Sequence, residues 1–264
     1  MTPATPMTPT TPVPPVPPPR LGSWVVRLTK LELRKLIVTR STRTLLISMA
    51  CIGVLLSAAV ELSAVLGSGA PDADFSVALV VLTAPIAIGI PIIGVLVYTS
   101  DWQQREIMTM FLLEPRRPRV YLAKLVATVI AGFLVVAAAA VASLAVTALI
   151  ATFTPAGFTL GDELGEPIAS VLVYTFTGAL FGAAVGAATL NSPLGIVVVT
   201  LQSLLIDNAL AFVPGDTGSW LRSSAIPEWL AGSGDALHAL TSGTLWLLVP
   251  FVIGFLRNAR REPK

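Results

Sequence analysis

Residues 76–99 read SVALVVLTAPIAIGIPIIGVLVYT, a run without one charged side chain. A helix needs about 20 apolar residues to cross a hydrocarbon core of about 30 Å. The run therefore predicts a membrane-spanning helix. Pro85 and Pro91 each lack a backbone N–H, so we expect this span to be kinked or locally unwound, with neighbouring helices or water satisfying the freed carbonyls.

Five more apolar runs of similar length occur in the chain. The predicted spans are, in order, 44–66, 76–99, 123–152, 168–190, 193–213 and 239–256. The third is longer than a bilayer requires, so it must tilt, bend or project into the cytoplasm. Asn191, Ser192 and Pro193 alone separate the fourth run from the fifth, which predicts a tight hairpin.

The overall composition supports the same class of protein. Hydrophobic residues make up 54% of the chain and charged residues 12%, about half the charged share of a soluble domain. The sequence therefore predicts an all-α, polytopic membrane protein with six transmembrane helices.

The positions of the basic residues predict the orientation. Sixteen of the 17 Lys and Arg residues lie before the first span, between the second and third, or after the sixth, and Arg222 is the exception. Basic flanks are retained in the cytoplasm. We therefore expect both termini to be cytoplasmic, an N-in, C-in topology.

The N-terminal part divides into a tail and a helix. The tail, residues 1–22, is Pro-rich and is predicted to be disordered; residues 23–264 form the six-span domain. Residues 24–40, WVVRLTKLELRKLIVTR, alternate apolar and basic faces at helical spacing and are too charged to span a membrane. This amphipathic helix either lies flat on the membrane or docks on the cytoplasmic side of the protein itself.

Candidate catalytic groups are scarce. His238 is the single histidine and Cys51 the single cysteine, so a His–Glu or Cys metal site and an internal disulfide cannot be assembled, and an intramembrane protease lacks its usual groups. Glu61 and Asp207 lie toward the outer ends of the first and fifth spans. They have either a structural role or a place in a translocation path.

The fourth span contains GALFGAAVGAAT, in which Gly178, Gly182 and Gly186 recur every four residues. A ridge without side chains allows another helix to approach closely. The partner is either another helix of the same chain or a second copy.

Residues 111–124, FLLEPRRPRVYLAK, place Arg116, Arg117, Arg119 and Lys124 between two apolar runs. We call these four residues the basic cluster. Taken alone, they are explained by cytoplasmic retention and contact with anionic lipid head groups. Contact with a partner protein is the alternative.

Two stretches resemble the permease subunits of type-2 ABC exporters, especially the actinobacterial kind. In YTSDWQQREIMTMFLLEPRRPRVYLAKLVATVIAGF, residues 98–133, the positions that match are Asp101, Trp102, Pro115, Arg116, Arg117, Ala123 and Lys124. LTKLELRKLIVTRSTRTLLI, residues 28–47, is similar to the family's amphipathic N-terminal helix, with Glu32, Lys35 and Arg40 in place. The chain departs from the family where a Glu and then a Gly-Thr pair are common, because it has Asp101 and then Arg105 and Glu106 at these positions.

The resemblance implies that the loop between spans two and three is a coupling element seated on a separate ATPase. Its implied residues are Asp101, Trp102, Arg105, Glu106, Glu114, Pro115, Arg116, Arg117, Arg119 and Lys124. It also implies a second permease copy or a sibling permease, two ATPase subunits that carry ATP and Mg²⁺, a plasma-membrane location, and short re-entrant helices in the outer segment 212–238. The sequence contains no GxxxxGK[ST] motif, so we expect neither a cofactor nor ATP hydrolysis in this chain.

The implied function is outward transport of a hydrophobic or amphipathic substrate by alternating access. Two other classes stay open: a non-transporting scaffold or immunity-type protein on the same frame, and an intramembrane enzyme. The lipid bilayer is an expected partner in each case, and a net charge of +2 gives no reason to expect a nucleic acid.

The predicted topology can be tested by labelling. In a Cys51→Ala background, an impermeant thiol reagent applied to intact cells should label cysteine at position 217, replacing Thr217, and should not label it at 191, replacing Asn191, because only the first position lies outside. Labelling at position 191 alone would mean that the orientation is inverted.

Overall fold

A computed structural model describes residues 23–67, 72–103, 116–154, 157–161 and 163–260. The first half contains the helices α1 (Ser23–Val38), α2 (Arg40–Gly67), α3 (Phe75–Gln103), α4 (Arg117–Phe153) and α5 (Gly165–Thr189). The second half contains α6 (Ser192–Leu201), α7 (Asp207–Ala211), α8 (Ala225–Leu230), α9 (Ala236–Gly243) and α10 (Val249–Arg260). Two π-helical turns, Gln202–Ile206 and Thr244–Leu248, join α6 to α7 and α9 to α10.

Six helices of the described chain are long and apolar enough to cross a membrane, which confirms the predicted class. These spans are Arg40–Gly67, Phe75–Asp101, Pro118–Phe153, Gly165–Thr189, Ser192–Ala211 and Ala236–Arg257. The third has 36 residues, which at 1.5 Å per residue is about 54 Å. It exceeds the hydrocarbon core, as the sequence predicts.

Two short strands connect the loops that follow spans one and three. β1 (Asp72–Asp74) pairs in parallel with β2 (Gly157–Thr159), and Ala73 is aligned with Phe158. The strands lie at the ends of their spans, so they tie together the two loops without interrupting the helical bundle.

The predicted hairpin between spans four and five is present. Leu190, at the end of α5, adopts a left-handed conformation with φ of 50°. Asn191 then begins α6, because its side-chain oxygen accepts a hydrogen bond from the N–H of Leu194 at 3.0 Å. An Asn at this position satisfies one of the free donors of a helix start, so the chain reverses within the Leu190–Asn191 connection.

The second span remains helical through both prolines, so the local unwinding considered above does not occur. α3 is one helix from Phe75 to Gln103 with Pro85 and Pro91 inside it. Because proline has no N–H, the carbonyls four residues earlier, those of Val81 and Ala87, lose their usual intrahelical donors.

The glycine ridge packs against the second span of the same chain. A Cβ atom at Gly182 would overlap the carbonyl oxygen of Pro91, and one at Gly186 would lie 3.0 Å from the Cα of Val95. On the opposite helix, a Cβ at Gly94 would lie 2.8 Å from the backbone nitrogen of Ala183. Spans two and four therefore meet backbone to backbone. Of the two alternatives for the glycine ridge, its partner is another helix of the same chain.

Spans one, five and six are the most exposed spans of the helical bundle. Half of the most apolar window of spans two and four is buried inside the chain, against 17–22% for spans one, five and six. Exposed leucine, isoleucine, valine and phenylalanine side chains cover their outward faces, as suits contact with lipid or with another membrane-spanning chain.

The contact of spans two and four can be tested with one methyl group. Gly182→Ala should lower the free energy of unfolding by about 1–3 kcal/mol, the usual range for an overpacked core. Gly165→Ala is the matched control, because a Cβ there meets no atom within 4 Å. Thermal unfolding of both purified variants in one detergent measures the effect; equal stability would contradict the contact.

Candidate functional site

A cluster of buried ionic groups lies where α1, α3 and α4 meet. The ammonium group of Lys124 lies 3.1 Å from Glu32 Oε2 and 2.8 Å from Asp101 Oδ2, and it donates a hydrogen bond to the carbonyl of Val97 at 2.9 Å. Lys35 completes the cluster, with its Nζ 2.9 Å from Asp101 Oδ1. We call Glu32, Lys35, Asp101 and Lys124 the ionic cluster.

Three of these four side chains are removed from solvent. The exposed fraction is 2% for Lys124 and for Asp101 and 3% for Glu32, whereas Lys35 is one-third exposed. Taking an ion out of water costs several kcal/mol unless it is paired and hydrogen-bonded. Two carboxylates face two ammonium groups here, so the cluster balances its own charge.

The local sequence explains why these groups converge. α1 is amphipathic, and its buried face carries Leu28, Thr29, Glu32 and Leu36 at helical spacing. Asp101 is at the end of the second span, and Lys124 lies early in α4. Lys35 follows Glu32 by three residues on the same helix and lies 3.6 Å from it, the spacing at which helical side chains are neighbours.

Aromatic side chains add contacts at the same place. The Tyr98 hydroxyl donates to the carbonyl of Tyr121 at 2.8 Å, and the two rings stack with centroids 5.8 Å apart. The guanidinium of Arg119 lies 4.9 Å from the centroid of the Trp24 ring, a cation–π distance. α1 is therefore docked on the protein itself, one of the two placements that the sequence left open.

The structure divides the predicted coupling residues into distinct groups. Asp101 and Lys124 are buried in the ionic cluster, so their charges are engaged inside the chain. Arg116 is exposed and precedes the first residue of α4, and Arg119 contacts Trp24. Arg117 begins α4, and Trp102 lies in the last turn of α3. Arg105, Glu106, Glu114 and Pro115 lie outside the described residues.

Sequence reasoning missed the pairing of Lys124 with Glu32. The sequence shows only that Asp101 and Lys124 need partners, because each borders a long apolar run where a charge must be paired. Helical periodicity places Glu32 on a face of α1 but does not say which helix covers that face. The result is that the stretches 28–47 and 98–133 are joined to each other by buried ion pairs.

The carboxylate of Asp207 anchors the segment that follows span five. Its Oδ1 accepts hydrogen bonds from Gln202 Nε2 at 2.8 Å and from the N–H of Ser223 at 2.7 Å. Its Oδ2 accepts from Ser223 Oγ at 2.8 Å and from the N–H of Ser224 at 3.1 Å. Four donors fill the acceptor sites of one carboxylate, so Asp207 has a structural role.

The sixth span holds the same segment from the other side. Three of its side chains donate to carbonyl oxygens of the segment: Thr241 to Trp220 at 3.0 Å, Ser242 to Arg222 at 2.6 Å, and Trp246 to Leu221 at 2.7 Å. The short helix α8 follows these contacts. We call residues 212–235 the outer cap, after the predicted topology; whether its helix is re-entrant stays a prediction.

A second carboxylate, that of Glu61, joins spans one and three. Its side chain is 3% exposed, and Oε1 accepts a hydrogen bond from Thr147 Oγ1 at 2.8 Å. One turn further along the same pair of helices, the hydroxyls of Ser57 and Ser143 lie 3.1 Å apart. These contacts connect two spans. Among the described residues, no group of His, Cys, Asp and Glu side chains could hold a metal ion.

The structure thus defines a multi-pass membrane protein whose six apolar helices fit a membrane transport protein. No protein-family model matches the sequence, and no curated protein sequence matches it.

Removing the central charge tests the ionic cluster. Lys124→Met keeps the length of the side chain but leaves Glu32 and Asp101 without their shared partner, so we expect a loss of about 3–5 kcal/mol in the free energy of unfolding. Adding Asp101→Asn should restore part of that loss, because it removes one uncompensated charge. The measurement is thermal unfolding of the purified variants.

Glu228→Gln is the control for this experiment. It breaks the pair with Arg222, whose side chains are 29% and 39% exposed and 3.4 Å apart, and such a pair contributes about 0–1 kcal/mol. A Lys124→Met variant as stable as Glu228→Gln would contradict the role given to the cluster.

Proposed function

We propose that this chain is the membrane-spanning permease subunit of an ATP-driven exporter of the type-2 ABC class, in the plasma membrane with both termini in the cytoplasm. The observation that carries the proposal is the ionic cluster. It joins Glu32 and Lys35, from one stretch that resembles this family, to Asp101 and Lys124, from the other. Residues that only matched by pattern therefore form one physical unit.

The cluster surrounds the base of the connection between spans two and three. Asp101 ends one span, Lys124 lies near the start of the next, and residues 104–115 connect them. A force applied to that connection would move α1 and both helix ends together, because breaking the cluster would leave buried charges unpaired. This rigidity suits a segment that receives motion from another subunit.

Movement of the connection between spans two and three can then reach the rest of the helical bundle. Span two meets span four backbone to backbone at Gly94 and Gly182, so a displacement of span two is passed to span four. In alternating access, such rigid movement opens a pathway first to one side and then to the other. The exported molecule is hydrophobic or amphipathic on this proposal, because the described spans are lined mainly by apolar residues.

A separate ATPase supplies the energy. The chain contains no GxxxxGK[ST] loop, the usual phosphate cradle of such enzymes, so two partner subunits would carry ATP and Mg²⁺. The exposed faces of spans one, five and six leave room for a second permease copy or a sibling permease. Arg116, which is exposed at the start of α4, is the described residue best placed to contact the ATPase.

Charge reversal in the basic cluster tests the partner. Arg116→Glu with Arg117→Glu should abolish co-purification with the ATPase and ATP-driven export, because truncating one side of a desolvated charge pair costs about 2–5 kcal/mol and reversal adds repulsion. Insertion and expression should be retained, since many other cytoplasmic Lys and Arg residues hold the orientation.

Arg40→Glu with Arg43→Glu is the matched control. Both arginines are exposed at the start of span one, so this variant makes the same change in net charge away from the loop. Contact with anionic lipid predicts that the two double variants behave alike, each basic residue being worth about 1 kcal/mol. Wild-type ATPase recovery from the Arg116→Glu, Arg117→Glu variant would contradict the docking role.

A further inference from the structure

A cavity of about 90 Å³ lies beneath the outer cap, among spans two, four, five and six. Its apolar walls are formed by Pro91, Phe181, Ile226, Pro227, Trp246 and Leu247. We call it the outer cavity. It is separate from the ionic cluster, which none of its lining residues touches.

On three sides, the backbone that borders the outer cavity departs from regular α-helical hydrogen bonding. Ser203 lies in the π-helical turn of span five, and Trp246 and Leu247 lie in that of span six. On span two the cavity is lined by Pro91 and Ala87, where the missing N–H of residue 91 leaves the Ala87 carbonyl without its helical donor. Irregular backbone at membrane depth is tolerated where it lines a cavity, and π-bulges are frequent at functional sites.

Polar groups without a protein partner line the same space. Ser224 Oγ is buried and has no hydrogen-bond partner among the described residues. The Tyr174 hydroxyl, also in the lining, makes no hydrogen bond within the part of the chain that the structure describes. A phenol, a hydroxyl and the Ala87 carbonyl can together give and receive hydrogen bonds.

The lining selects against charged ligands. Asp207 also borders the cavity, but its carboxylate already accepts four hydrogen bonds from Gln202, Ser223 and Ser224. The lining contains no Lys, Arg or His side chain. A cation would find the Asp207 carboxylate occupied by donors. An anion would find no cationic side chain in the lining, and the nearby Arg222 is already paired with Glu228 at 3.4 Å. An unpaired charge in such surroundings is expensive.

The volume limits the size of what binds. Whole drug-sized ligands occupy pockets of about 300–1,000 Å³, whereas a dry cavity of about 150 Å³ accepts benzene. The outer cavity is smaller, at about 90 Å³, but it is not closed, so the end of a ring or a short alkyl chain can enter it while the rest of the molecule stays outside.

We propose that the outer cavity binds an uncharged ring or short chain that carries a hydroxyl group. The ring or chain packs against Phe181 and Trp246, whose rings contact each other edge to face with centroids 6.1 Å apart, and the hydroxyl exchanges hydrogen bonds with Tyr174, Ser224 and the Ala87 carbonyl. On the proposed function, on which this part of the inference rests, the bound group is one arm of the exported molecule, so the substrate class is a neutral, hydroxyl-bearing amphipath.

Direct binding to the purified chain in nanodiscs tests the proposal. The probes are 4-fluorobenzyl alcohol, 4-fluorotoluene and 4-fluorobenzylammonium, observed by fluorine NMR with empty nanodiscs as the blank. The alcohol should bind about five- to tenfold more tightly than the toluene, the value of one net hydrogen bond of about 1 kcal/mol, and the ammonium probe should bind most weakly. Tighter binding of the ammonium probe would overturn the assignment of a neutral ligand.

Two variants locate the binding. Ser203→Leu puts an isobutyl group into the cavity and should remove protein-dependent binding of the alcohol, whereas Ser63→Leu, the same change on an exposed face of α2, should leave it unchanged. Tyr174→Phe keeps the ring and should bring the ratio of alcohol to toluene affinity toward one. Wild-type affinities and ratio in both Ser203→Leu and Tyr174→Phe would place the probes elsewhere and overturn the proposal.

These measurements need no ATPase and no transport. Binding in the outer cavity by a chain that recruits no ATPase would refute the proposed function and keep the site. Absence of binding by a chain that does recruit one would refute the site and keep the proposed function.

Discussion

The fold depends on the direct backbone contact between spans two and four. A Cβ at Gly182 would overlap the Pro91 carbonyl, and one at Gly94 would lie 2.8 Å from the Ala183 nitrogen, so no side chain separates the two helices. In lipid, helices associate through packing and hydrogen bonds rather than through exclusion of water. This close approach therefore makes span two the centre of the bundle, and both sites described above lie along it.

The end of span two and its middle differ in electrostatic character. At one end Asp101 belongs to a charged cluster that is nearly excluded from solvent. Further along, Pro91 borders a neutral cavity whose carboxylate, Asp207, is fully occupied by donors. Buried ion pairs resist rearrangement because separation exposes unpaired charges, whereas π-helical turns and a proline mark places where backbone geometry varies. The molecule thus combines a rigid ionic cluster at the end of span two with a cavity, at its middle, whose surrounding backbone can vary in geometry.

The sequence predicts the spans well and the sites only in part. Six apolar runs define six helices because each must satisfy its backbone within lipid, and Asn191 reveals the hairpin. The Gly178–Gly182–Gly186 spacing predicts close packing, but only the three-dimensional arrangement identifies Pro91 and Val95 as its partners. The contact of Lys124 with Glu32 spans 92 positions, and the π-helical turns leave no periodic signal, so neither could be read from local patterns.

The central claim is that the connection between spans two and three contacts a separate ATPase. Its most direct test is a photoreactive benzophenone side chain at position 116, with position 40 as the control, in cells that express the whole transporter. We expect a covalent adduct at position 116 with a protein that carries a GxxxxGK[ST] phosphate loop, and little or none at position 40. Adducts with lipid alone, or equal protein adducts at the two positions, would contradict it.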